Sequence, residues 1–392
     1  MTREMQSISS VSERFTVWHV GGEDVRMRIP ILKVLKNLGF KVAAAGSEDS
    51  RPFDNEGIEY HRYELDRGVS PLIDRRSLSQ LEILFNKHNP DVVHSFDTKP
   101  ALLVPLAARR AGIKANIRTV TGMGYIYSSK SPLALALRIA YRSMQKRASL
   151  YSDTTVFQNE DDKLYFEDTG LIEKKKSILV RGSGVDVDLL ASRLPDFENK
   201  QRLSSNLGIA GHVVFIMIAR MVKHKGVVEY LEAARRVTNK NPECKFLLVG
   251  PLAGEGRQAV SQRVVQSYAD VVTWLGPRTD VPALLSVSDV FVLPSYYREG
   301  VPRVLLEAGA LGLPLITTDM PGCRDVVRNG QEGLLVPPRN ISALEQSMLK
   351  MAGSTIYRTE LGACAKIRIE QLFTLSNVAK AYADIYRELM TR

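Results

Sequence analysis

Two glutamates in residues 294–307, PSYYREGVPRVLLE, have the type and spacing to accept hydrogen bonds from two groups of hydroxyls. Glu299 lies in a predicted loop, and Glu307 lies on the following helix, about 8 Å from Pro302 at about 1.5 Å per residue. Their carboxylates can accept hydrogen bonds from the hydroxyl groups that a sugar nucleotide presents at its two ends. Gly300 allows a ligand close to the backbone, and the free amides of the first helical turn suit an anion. The alternative is that Glu307 is a solvated helix residue and Glu299 an acid at a helix start.

Arg220 and Lys225, in the segment ARMVKHKG, follow a predicted strand at residues 213–218. Both cations should therefore lie at the carboxyl end of that strand, near the start of the next helix. Two fixed cations there can hold a diphosphate and offset the charge that it acquires as a leaving group. The alternative is a pair of ordinary loop cations. Gly21 and Gly22 follow the first predicted strand and can bring the backbone close to phosphates, but two glycines alone favour this only weakly.

Short β-branched runs alternate with longer amphipathic runs, a pattern typical of an α/β fold with parallel sheets covered by helices. The predicted strands form a first series at residues 15–20, 41–45, 91–94, 115–120, 154–158 and 177–180, and a second at 213–218, 246–249, 271–274, 290–293, 315–317 and 334–336. A weakly periodic polar stretch, about residues 190–206, separates the two series. Ligands bind outside the carboxyl ends of such strands, so we expect two Rossmann-like domains facing each other across a cleft that holds the site.

Basic residues are concentrated in one window of the chain. Lys and Arg together number 53 and Asp and Glu 43, a net charge of +10. Residues 98–152 contain no Asp or Glu, and they contain ten cations, which supply the whole excess: Lys99, Arg109, Arg110, Lys114, Arg118, Lys130, Arg138, Arg142, Lys146 and Arg147. A single-sign region of this length predicts a surface for anionic partners.

Composition and missing motifs exclude several classes of protein. A hydrophobic content of 44% and a charged content of 24% are typical of a soluble globular chain. No apolar run reaches the roughly 18–20 residues that cross a bilayer, and the polar first dozen residues predict a loose tail rather than a signal peptide. The three cysteines form no CxxC pair, which indicates free thiols in a reducing cytoplasm. The chain has neither the GxGxxG motif of a dehydrogenase nor the P-loop of an ATP site. It also has no recognised nucleic-acid-binding module.

Over essentially its full length the chain resembles the large family 4 of retaining glycosyltransferases, which has the GT-B architecture. The E-x7-E motif of the family matches EGVPRVLLE, and its GR-x-x-x-x-KG loop resembles ARMVKHKG. Further positions match landmarks of the family: Gly184, Val185, Asp186, Asp289, Gly312, Pro314, Gly330 and Gly333. The resemblance implies a first domain at residues 1–187, which the last helix at 375–392 rejoins, and a donor domain at residues 188–374.

The resemblance also implies which residues bind the donor: Gly21, Gly22, Arg220, Lys225, Glu299, Gly300, Val301, Pro302 and Glu307. Glu307 should bind the ribose hydroxyls, and Glu299 should lie at the donor sugar. Arg220 and Lys225 should hold the diphosphate and, with Glu299, form the catalytic set. The family further implies retention at the anomeric carbon. Because no DxD-type motif is present and cations can replace a metal, we predict a metal-independent enzyme without a cofactor.

The sequence departs from the family pattern at TVTGMGY, where Thr121 precedes Gly122. Many relatives have a histidine-glycine pair there, and the histidine touches the donor sugar. The variant resembles a subgroup that acts on lipid-linked oligosaccharides, so we transfer no histidine role to Thr121. Thr121, Gly122 and His94 remain candidates for the acceptor side, with a buried or capping histidine as the alternative for His94.

Residues 128–150, SSKSPLALALRIAYRSMQKRASL, combine an apolar face with five of the ten cations. This predicts a helix at the surface of an anionic membrane, where each cation contributes about 1 kcal/mol. The alternative is an ordinary amphipathic helix with a solvated basic face. We therefore expect a peripheral enzyme at the inner face of the plasma membrane that moves a sugar from a nucleotide sugar, with UDP-sugar favoured, to a polyprenyl-diphosphate-linked saccharide. A GT-B sugar-nucleotide epimerase or phosphorylase is the closer alternative, and a nucleic-acid partner is not expected.

Overall fold

The computed structural model describes residues 15–66, 68, 70–124, 127, 132–252 and 258–392. The predicted N-terminal tail, Lys130 and the start of the segment 128–150 lie outside these ranges. The chain divides into two compact units, one of Met1–Gly184 with Leu375–Arg392 and the other of Val185–Thr374.

Each unit is built on one parallel sheet. The strands are β1 (Thr16–Val20), β2 (Lys41–Gly46), β3 (Glu59–Arg62), β4 (Val92–Ser95), β5 (Ala115–Val120), β6 (Thr154–Phe157) and β7 (Ser177–Leu179) in the first unit, and β8 (Val213–Ile218), β9 (Cys244–Val249), β10 (Val272–Trp274), β11 (Val290–Leu293), β12 (Leu315–Thr318) and β13 (Gly333–Val336) in the second. Their orders are β3-β2-β1-β4-β5-β6-β7 and β10-β9-β8-β11-β12-β13. The predicted α/β fold with two Rossmann-like domains is confirmed.

Helices connect the strands within each unit. They are α1 (Ile29–Asn37), α2 (Arg51–Asp54), α3 (Pro71–His88), α4 (Pro100–Arg110), α5 (Pro132–Tyr151), α6 (Glu160–Asp168), α7 (Val187–Ser192), α8 (Phe197–Asn206), α9 (Val227–Lys240), α10 (Gln262–Gln266), α11 (Val281–Ser286), α12 (Arg303–Ala310), α13 (Cys323–Val326), α14 (Ile341–Ala352), α15 (Thr355–Leu372) and α16 (Leu375–Thr391). The last helix, α16, belongs to the first unit, where Tyr382 and Tyr386 are fully buried.

The order of the strands reverses between β1 and β4 in the first sheet and between β8 and β11 in the second. Ligands of open parallel sheets bind at such switch points, outside the carboxyl ends of the strands. The loops that follow these four strands are therefore the places where each unit can bind a ligand.

The two sheets differ in the polarity of their interiors. Strand β8 reads VVFIMI and β9 reads CKFLLV, the near-continuous apolar runs expected of parallel strands buried on both faces. The first sheet instead carries fully buried polar side chains, including His94 in β4 and Arg118 in β5. Buried polar groups need hydrogen-bond partners, so the first unit contains networks that its strand pattern did not predict.

The weakly periodic polar stretch at residues 190–206 does lie between the last strand of the first series and the first strand of the second. Helices α7 and α8 occupy most of this region, and each begins at an aspartate whose side chain accepts a hydrogen bond from a backbone amide. Asp186 accepts from the amide of Leu189, and Asp196 accepts from the amide of Asn199, both at 2.9 Å. These N-caps stabilise short helices that have few buried apolar residues, which is why the apolar periodicity was weak.

Candidate functional site

The loop after β11 is joined to the loop after β8 by hydrogen bonds at the switch point of the second sheet. The hydroxyl of Ser295 donates to the carbonyl of His224 at 3.2 Å, and the amide of Tyr296 donates to the same carbonyl at 3.0 Å. Thr318, at the end of β12, donates through its hydroxyl to the carbonyl of Ser295. These bonds fix the backbone on both sides of the predicted donor residues. Ser295 and Thr318 were not singled out in the sequence, because no charge or motif marks them.

Glu299 and Lys225 form an ion pair in this joined region. Lys225 Nζ lies 2.6 Å from Glu299 Oε2, and the two side chains are 16% and 17% exposed. Ser295 donates to the other carboxylate oxygen, Oε1, at 3.0 Å. The sequence analysis assigned Glu299 to the sugar of the donor and Lys225 to its diphosphate. The structure brings these two residues together.

Arg220 adds a second cation near the pair. Its side chain is exposed at the carboxyl end of β8. Burial lowers the pKa of His224, and the charges of Lys225 and Arg220 act in the same direction, against an opposing effect of Glu299. His224 is therefore a neutral imidazole at neutral pH, and its ring packs on Tyr297 with the ring centres 4.5 Å apart. The positive charge of the site comes from Arg220 and Lys225.

Gly226 holds the Lys225 loop against the β11 loop. It has a φ of +79°, and a Cβ atom there would lie 2.1 Å from the carbonyl oxygen of Pro294. A side chain at this position is excluded both by the left-handed backbone and by the contact. Helix α9 begins directly after this glycine, so the positions of Lys225 and of the helix N-terminus are set together.

Residues Gly300, Val301 and Pro302 are buried. A Cβ atom at Gly322, which has a φ of +81°, would lie 1.7 Å from the carbonyl oxygen of Gly300, so two backbone segments touch here. Because Val301 is only 7% exposed, its side chain packs inside the unit. Only the backbone of this segment can therefore contact a ligand, as the sequence analysis expected for Gly300.

Glu307 lies on α12, which begins at Arg303 immediately after Pro302. Arg303 Nε donates to Glu307 Oε1 at 3.0 Å, one helical turn away, and the glutamate side chain is 18% exposed. Burial raises the pKa of Glu307, and the charges of Arg303 and Arg193 oppose that rise only in part. A mostly shielded carboxylate with one oxygen engaged by Arg303 can still accept hydrogen bonds from ligand hydroxyls.

Gly21 and Gly22 lie at the switch point of the first sheet, after β1. The hydroxyl of Tyr63 donates to the carbonyl of Gly21 at 2.6 Å, and the amide of Gly22 donates to Asp97 Oδ2 at 3.4 Å. Asp97 follows β4 and has a φ of +68°, a conformation that costs energy for a residue with a side chain. The sequence had not identified Asp97 or Tyr63, since neither belongs to a recognisable motif.

A pocket of ≈ 280 Å³ opens in the first unit beside Gly22. Thr121, a candidate for the acceptor side, lines this pocket, whereas Gly122 is not among its lining residues. The lining residues are Gly22, Glu23, Asp24, Leu65, Asp66, Asp97, Thr98, Lys99, Pro100 and Thr121. Four of the five charged residues among them are carboxylates, which suits hydroxyl groups better than phosphates.

His94 is buried in the first unit, and the structure favours the alternative of an interior histidine over an acceptor contact. Its Nδ1 lies 2.7 Å from the hydroxyl of Tyr386, and its Nε2 lies 2.7 Å from Thr119 Oγ1. Burial, with smaller contributions from His19 and Arg28, lowers its pKa well below the ordinary value. Both ring nitrogens are occupied, so none is left for a ligand.

Four of the ten cations in residues 98–152 are paired with carboxylates or buried, so they add little to a single-sign surface. Three cations of the window pair with carboxylates that lie outside it in sequence: Lys99 with Asp74 at 2.5 Å, Arg110 with Glu82 at 2.6 Å and Lys114 with Asp91 at 3.3 Å. Arg118 is fully buried, and burial lowers its pKa to about 10. The exposed charge of the window is thus much smaller than its sequence indicated.

Helix α5 has an unusual distribution of polarity. Its buried face includes Gln145 and Ser149, which accept hydrogen bonds from the guanidinium of Arg118, both at 2.6 Å. Its outer face carries large apolar side chains with high exposed fractions: Leu135 48%, Leu137 43%, Ile139 75%, Met144 49% and Leu150 62%. Lys146 and Arg147 are exposed on the same helix. Tyr141 and Ala148 are also buried, so the inner face is mixed in polarity, whereas an ordinary amphipathic helix exposes few large apolar side chains.

Comparisons with known proteins bear on both units. Residues 19–157 match the family model described as "Glycosyl transferase 4-like", and residues 199–368 match "Glycosyl transferases group 1". Among helices in the described part of the chain, none has the length and apolar character to span a membrane.

Curated relatives cover most of the chain. One from Campylobacter jejuni, named N,N'-diacetylbacillosaminyl-diphospho-undecaprenol alpha-1,3-N-acetylgalactosaminyltransferase, is 29% identical over 84% of this chain and 86% of its own length. Another from Escherichia coli, named UDP-Gal:alpha-D-GlcNAc-diphosphoundecaprenol alpha-1,3-galactosyltransferase, is 26% identical over 83% of this chain and 82% of its own.

Solved structures share the fold at low identity. A glycosyltransferase from Rickettsia africae aligns with a TM-score of 0.78 and 19% identity over 96% of this chain and 98% of that one. Anabaena HepE in complex with UDP and glucose aligns with a TM-score of 0.77 and 16% identity over 96% of this chain and all of that one, 100%.

Proposed function

We propose, from the premise that this chain belongs to family 4 of the glycosyltransferases with the GT-B fold, that its second unit binds a UDP-sugar and its first unit a lipid-linked saccharide. The chain is a glycosyltransferase, and the proposal concerns its donor, its acceptor and the stereochemistry. The observation that carries it is the cation pair Arg220 and Lys225 at the switch point of the second sheet, with Glu299 bonded to Lys225.

The charges of this region suit a departing diphosphate. Arg220 is exposed and Lys225 is held by the Glu299 carboxylate, so one cation is solvated and the other is fixed in position. When the bond between the anomeric carbon and the β-phosphate oxygen breaks, negative charge develops on the diphosphate. Positioned cations stabilise that charge without reorganising during the reaction. Lys225 therefore acts on the leaving group, and Glu299 positions Lys225 while it accepts from hydroxyls of the sugar.

The transfer then retains the configuration at the anomeric carbon. The acceptor oxygen bonds to that carbon on the face from which UDP departs, and the acceptor proton passes to a phosphate oxygen of UDP. No side chain forms a covalent bond to the sugar in this scheme. The two cations carry out the role that a metal ion has in other transferases, so we expect activity to persist in EDTA.

The donor base and ribose are assigned to the α12 region. Glu307 is mostly shielded, and one of its oxygens is engaged by Arg303, which orients the carboxylate for the ribose hydroxyls. UDP is favoured because the Anabaena structure that shares this fold contains UDP and because the Escherichia coli relative is named for a UDP-sugar.

The acceptor is assigned to a polyprenyl-diphosphate-linked saccharide. Both curated relatives are named for undecaprenol-diphosphate acceptors. In this chain the acidic pocket beside Gly22, which Thr121 and Asp97 line, offers acceptors for sugar hydroxyls. The second unit thus offers residues that can bind the donor, and the first unit offers residues that can bind the acceptor.

Helix α5 provides the contact with the membrane that carries such an acceptor. Ile139, Lys146 and Leu150 follow one another at intervals of seven and four residues, so they share one exposed face. The inner face is bonded to Arg118, and large apolar side chains are exposed beside Lys146, an arrangement that suits a helix lying in a bilayer interface. We place this interface at the cytoplasmic leaflet of the plasma membrane, with Lys146 and Arg147 near anionic head groups.

The test is acceptor-dependent release of UDP. Purified protein is incubated with a panel of UDP-sugars, with and without undecaprenyl-diphosphate-linked saccharides, in the presence of EDTA. We expect free UDP and an extended lipid-linked product only when donor and acceptor are both present. Conversion of the donor sugar to its epimer without an acceptor would contradict transfer, and activity that requires added magnesium would contradict the role given to the cations.

A further inference from the structure

Three side chains of the first unit, Glu59, His61 and His88, converge at the edge of the sheet. Glu59 and His61 are two residues apart in β3, the edge strand, so both side chains lie on the same face of the strand. His88 is the last residue of α3, and Asn89, with a φ of +44°, ends that helix. The cluster uses none of the residues assigned above to donor or acceptor.

The potential ligand atoms lie within a sphere that one metal ion can fill. Glu59 Oε1 is 3.0 Å from His61 Nε2 and 3.8 Å from His88 Nδ1, and all three atoms are within 4.8 Å of one another. Ligands at about 2.0–2.2 Å from a tetrahedral zinc ion are separated by similar distances.

Glu59 Oε1 lies 3.0 Å from His61 Nε2 and interacts with it electrostatically, but the contact lacks the alignment of a full hydrogen bond. His61 Nε2 is a buried atom that has no hydrogen-bond partner among the described residues, although the carboxylate oxygen is only 3.0 Å away. A buried polar atom without a partner is uncommon and requires an explanation. The explanation that we favour is that the Nε2 lone pair binds a cation, since neutral imidazole is the form that binds metals.

The surroundings fix the ring of His61. The His61 ring stacks on Trp18 with 4.3 Å between ring centres and an angle of 14° between planes. Trp18 is 1% exposed, so it forms a rigid support for the imidazole.

The electrostatic contributions to cation binding have both signs. The carboxylate of Glu59 and the free carbonyls at the C-terminus of α3 favour a cation. Lys87 opposes it, because its charge also acts on His61. Glu59 is 60% exposed and His88 26% exposed, so a metal ion can enter from solvent and keep a water molecule as its fourth ligand.

We propose that Glu59, His61 and His88 form a binding site for a divalent transition-metal ion such as Zn²⁺, separate from the glycosyl-transfer site. Two imidazoles and one carboxylate suit Zn²⁺ or Co²⁺ and disfavour Mg²⁺ and Ca²⁺, which require oxygen ligands. Because the ligands come from β3 and from the end of α3, the ion cross-links the edge strand to the helix. Its binding should therefore stabilise the first unit without changing the reaction.

The experiment measures metal binding directly. Untagged full-length protein is freed of metal with a chelator, dialysed, and titrated with ZnCl₂ by calorimetry, while the melting temperature is recorded with and without the ion. We expect one Zn²⁺ per chain, a higher melting temperature with Zn²⁺, and no effect of MgCl₂. Substitution of Co²⁺ should give the visible absorption of a four-coordinate site.

Variants distinguish this cluster from adventitious binding. His88→Ala and Glu59→Gln change partly exposed side chains, and each should weaken Zn²⁺ binding by more than about tenfold. His212→Ala is the matched control, because His212 also lies beside a glutamate, Glu243 at 3.3 Å, but belongs to no such cluster in the described chain. Equal Zn²⁺ affinity in the wild type and both cluster variants would overturn the proposal, as would loss of binding in His212→Ala alone.

Discussion

Lys225 Nζ lies 2.6 Å from Glu299 Oε2, and more than four-fifths of each side chain is shielded from solvent. The pair connects the loop after β8 to the loop after β11, which the strand order places side by side. The lysine that should meet the diphosphate is therefore positioned by the glutamate that should meet the sugar. A change in either residue should affect both the donor contact and the joining of the two loops.

Loss of Glu299 should impair catalysis through Lys225. In Glu299→Gln the amide retains a hydrogen-bond acceptor but not the charge that holds the ammonium, so kcat should fall by roughly 10²–10³. Stability should fall by about 1–3 kcal/mol, below the cost of a fully buried pair because both groups are partly exposed. Steady-state kinetics and thermal denaturation measure the two effects. A double-mutant cycle with Lys225→Ala should show coupling, and strict additivity of the two losses would contradict the positioning role.

The close contact at Gly226 provides a second prediction, with a matched control in the same unit. Gly226 and Gly211 both have a φ of +79°, but a Cβ atom at Gly226 would lie 2.1 Å from the Pro294 carbonyl, and one at Gly211 would meet nothing within 4 Å. Gly211→Ala should cost about 1–2 kcal/mol of stability and leave kcat/KM unchanged. Gly226→Ala should cost more and lower kcat/KM, because it displaces Lys225. Equal effects of the two substitutions would show that the contact has no influence on the site.

Glu307 should make UDP binding depend on pH. Burial raises the pKa of this carboxyl above its ordinary value, so the group becomes protonated at a higher pH than an exposed glutamate. Protonation removes part of its capacity to accept hydrogen bonds, and UDP affinity should therefore decline as the pH falls through that raised pKa. Calorimetric measurements of UDP binding to the wild type and to Glu307→Gln across this pH range isolate the effect, because protonation of the UDP phosphates affects both proteins equally.

At neutral pH Glu307→Ala should weaken UDP binding roughly ten- to a hundredfold, since hydrogen bonds to a charged group contribute about 1.5–3 kcal/mol. Parallel pH profiles for the wild type and Glu307→Gln would exclude a contact between this carboxylate and the nucleotide.

The exposed face of α5 should mediate binding to lipid vesicles. Ile139 is 75% exposed on α5, and Ile356, on α15 of the second unit, is 73% exposed. Burial of an isoleucine in an apolar environment contributes about 1.5–3 kcal/mol, so Ile139→Glu should lower the affinity for anionic vesicles at least about tenfold. Ile356→Glu is the control and should bind like the wild type. Co-sedimentation with vesicles at low salt measures both, and equal binding by the two variants would remove α5 from the interface.

The sequence predicted that the residues proposed to bind the donor would share one edge of a sheet, but it did not predict their contacts. Apolar runs located β8 and β11, and parallel strands bring their carboxyl ends to one edge, so Arg220, Lys225 and Glu299 could be assigned to one region. The ion pair between Lys225 and Glu299 depends on how two loops are bonded through Ser295 and His224, and no periodic pattern encodes that.

Long-range packing explains the predictions that were incomplete or left open. His94 is buried by Tyr386, which lies 292 residues further along the chain on α16. The charge of Lys114 is balanced by Asp91, which lies just before the basic window and so was not counted in it. The edge strand β3 reads EYHR and lacks the apolar run by which the other strands were found, which is why the Glu59–His61 cluster was not predicted.

The most direct test of the central claim is the affinity for UDP measured by calorimetry in the wild type, Lys225→Ala and the loop control Lys223→Ala. Lys223 lies two residues before Lys225 and is exposed to solvent, whereas Lys225 is 16% exposed and paired with Glu299. A charge-assisted contact to the diphosphate contributes about 1.5–3 kcal/mol, so Lys225→Ala should weaken UDP binding roughly ten- to a hundredfold, and Lys223→Ala should bind like the wild type. Unchanged UDP affinity in Lys225→Ala, or the same loss in both variants, would contradict the assignment of the donor site to this switch point.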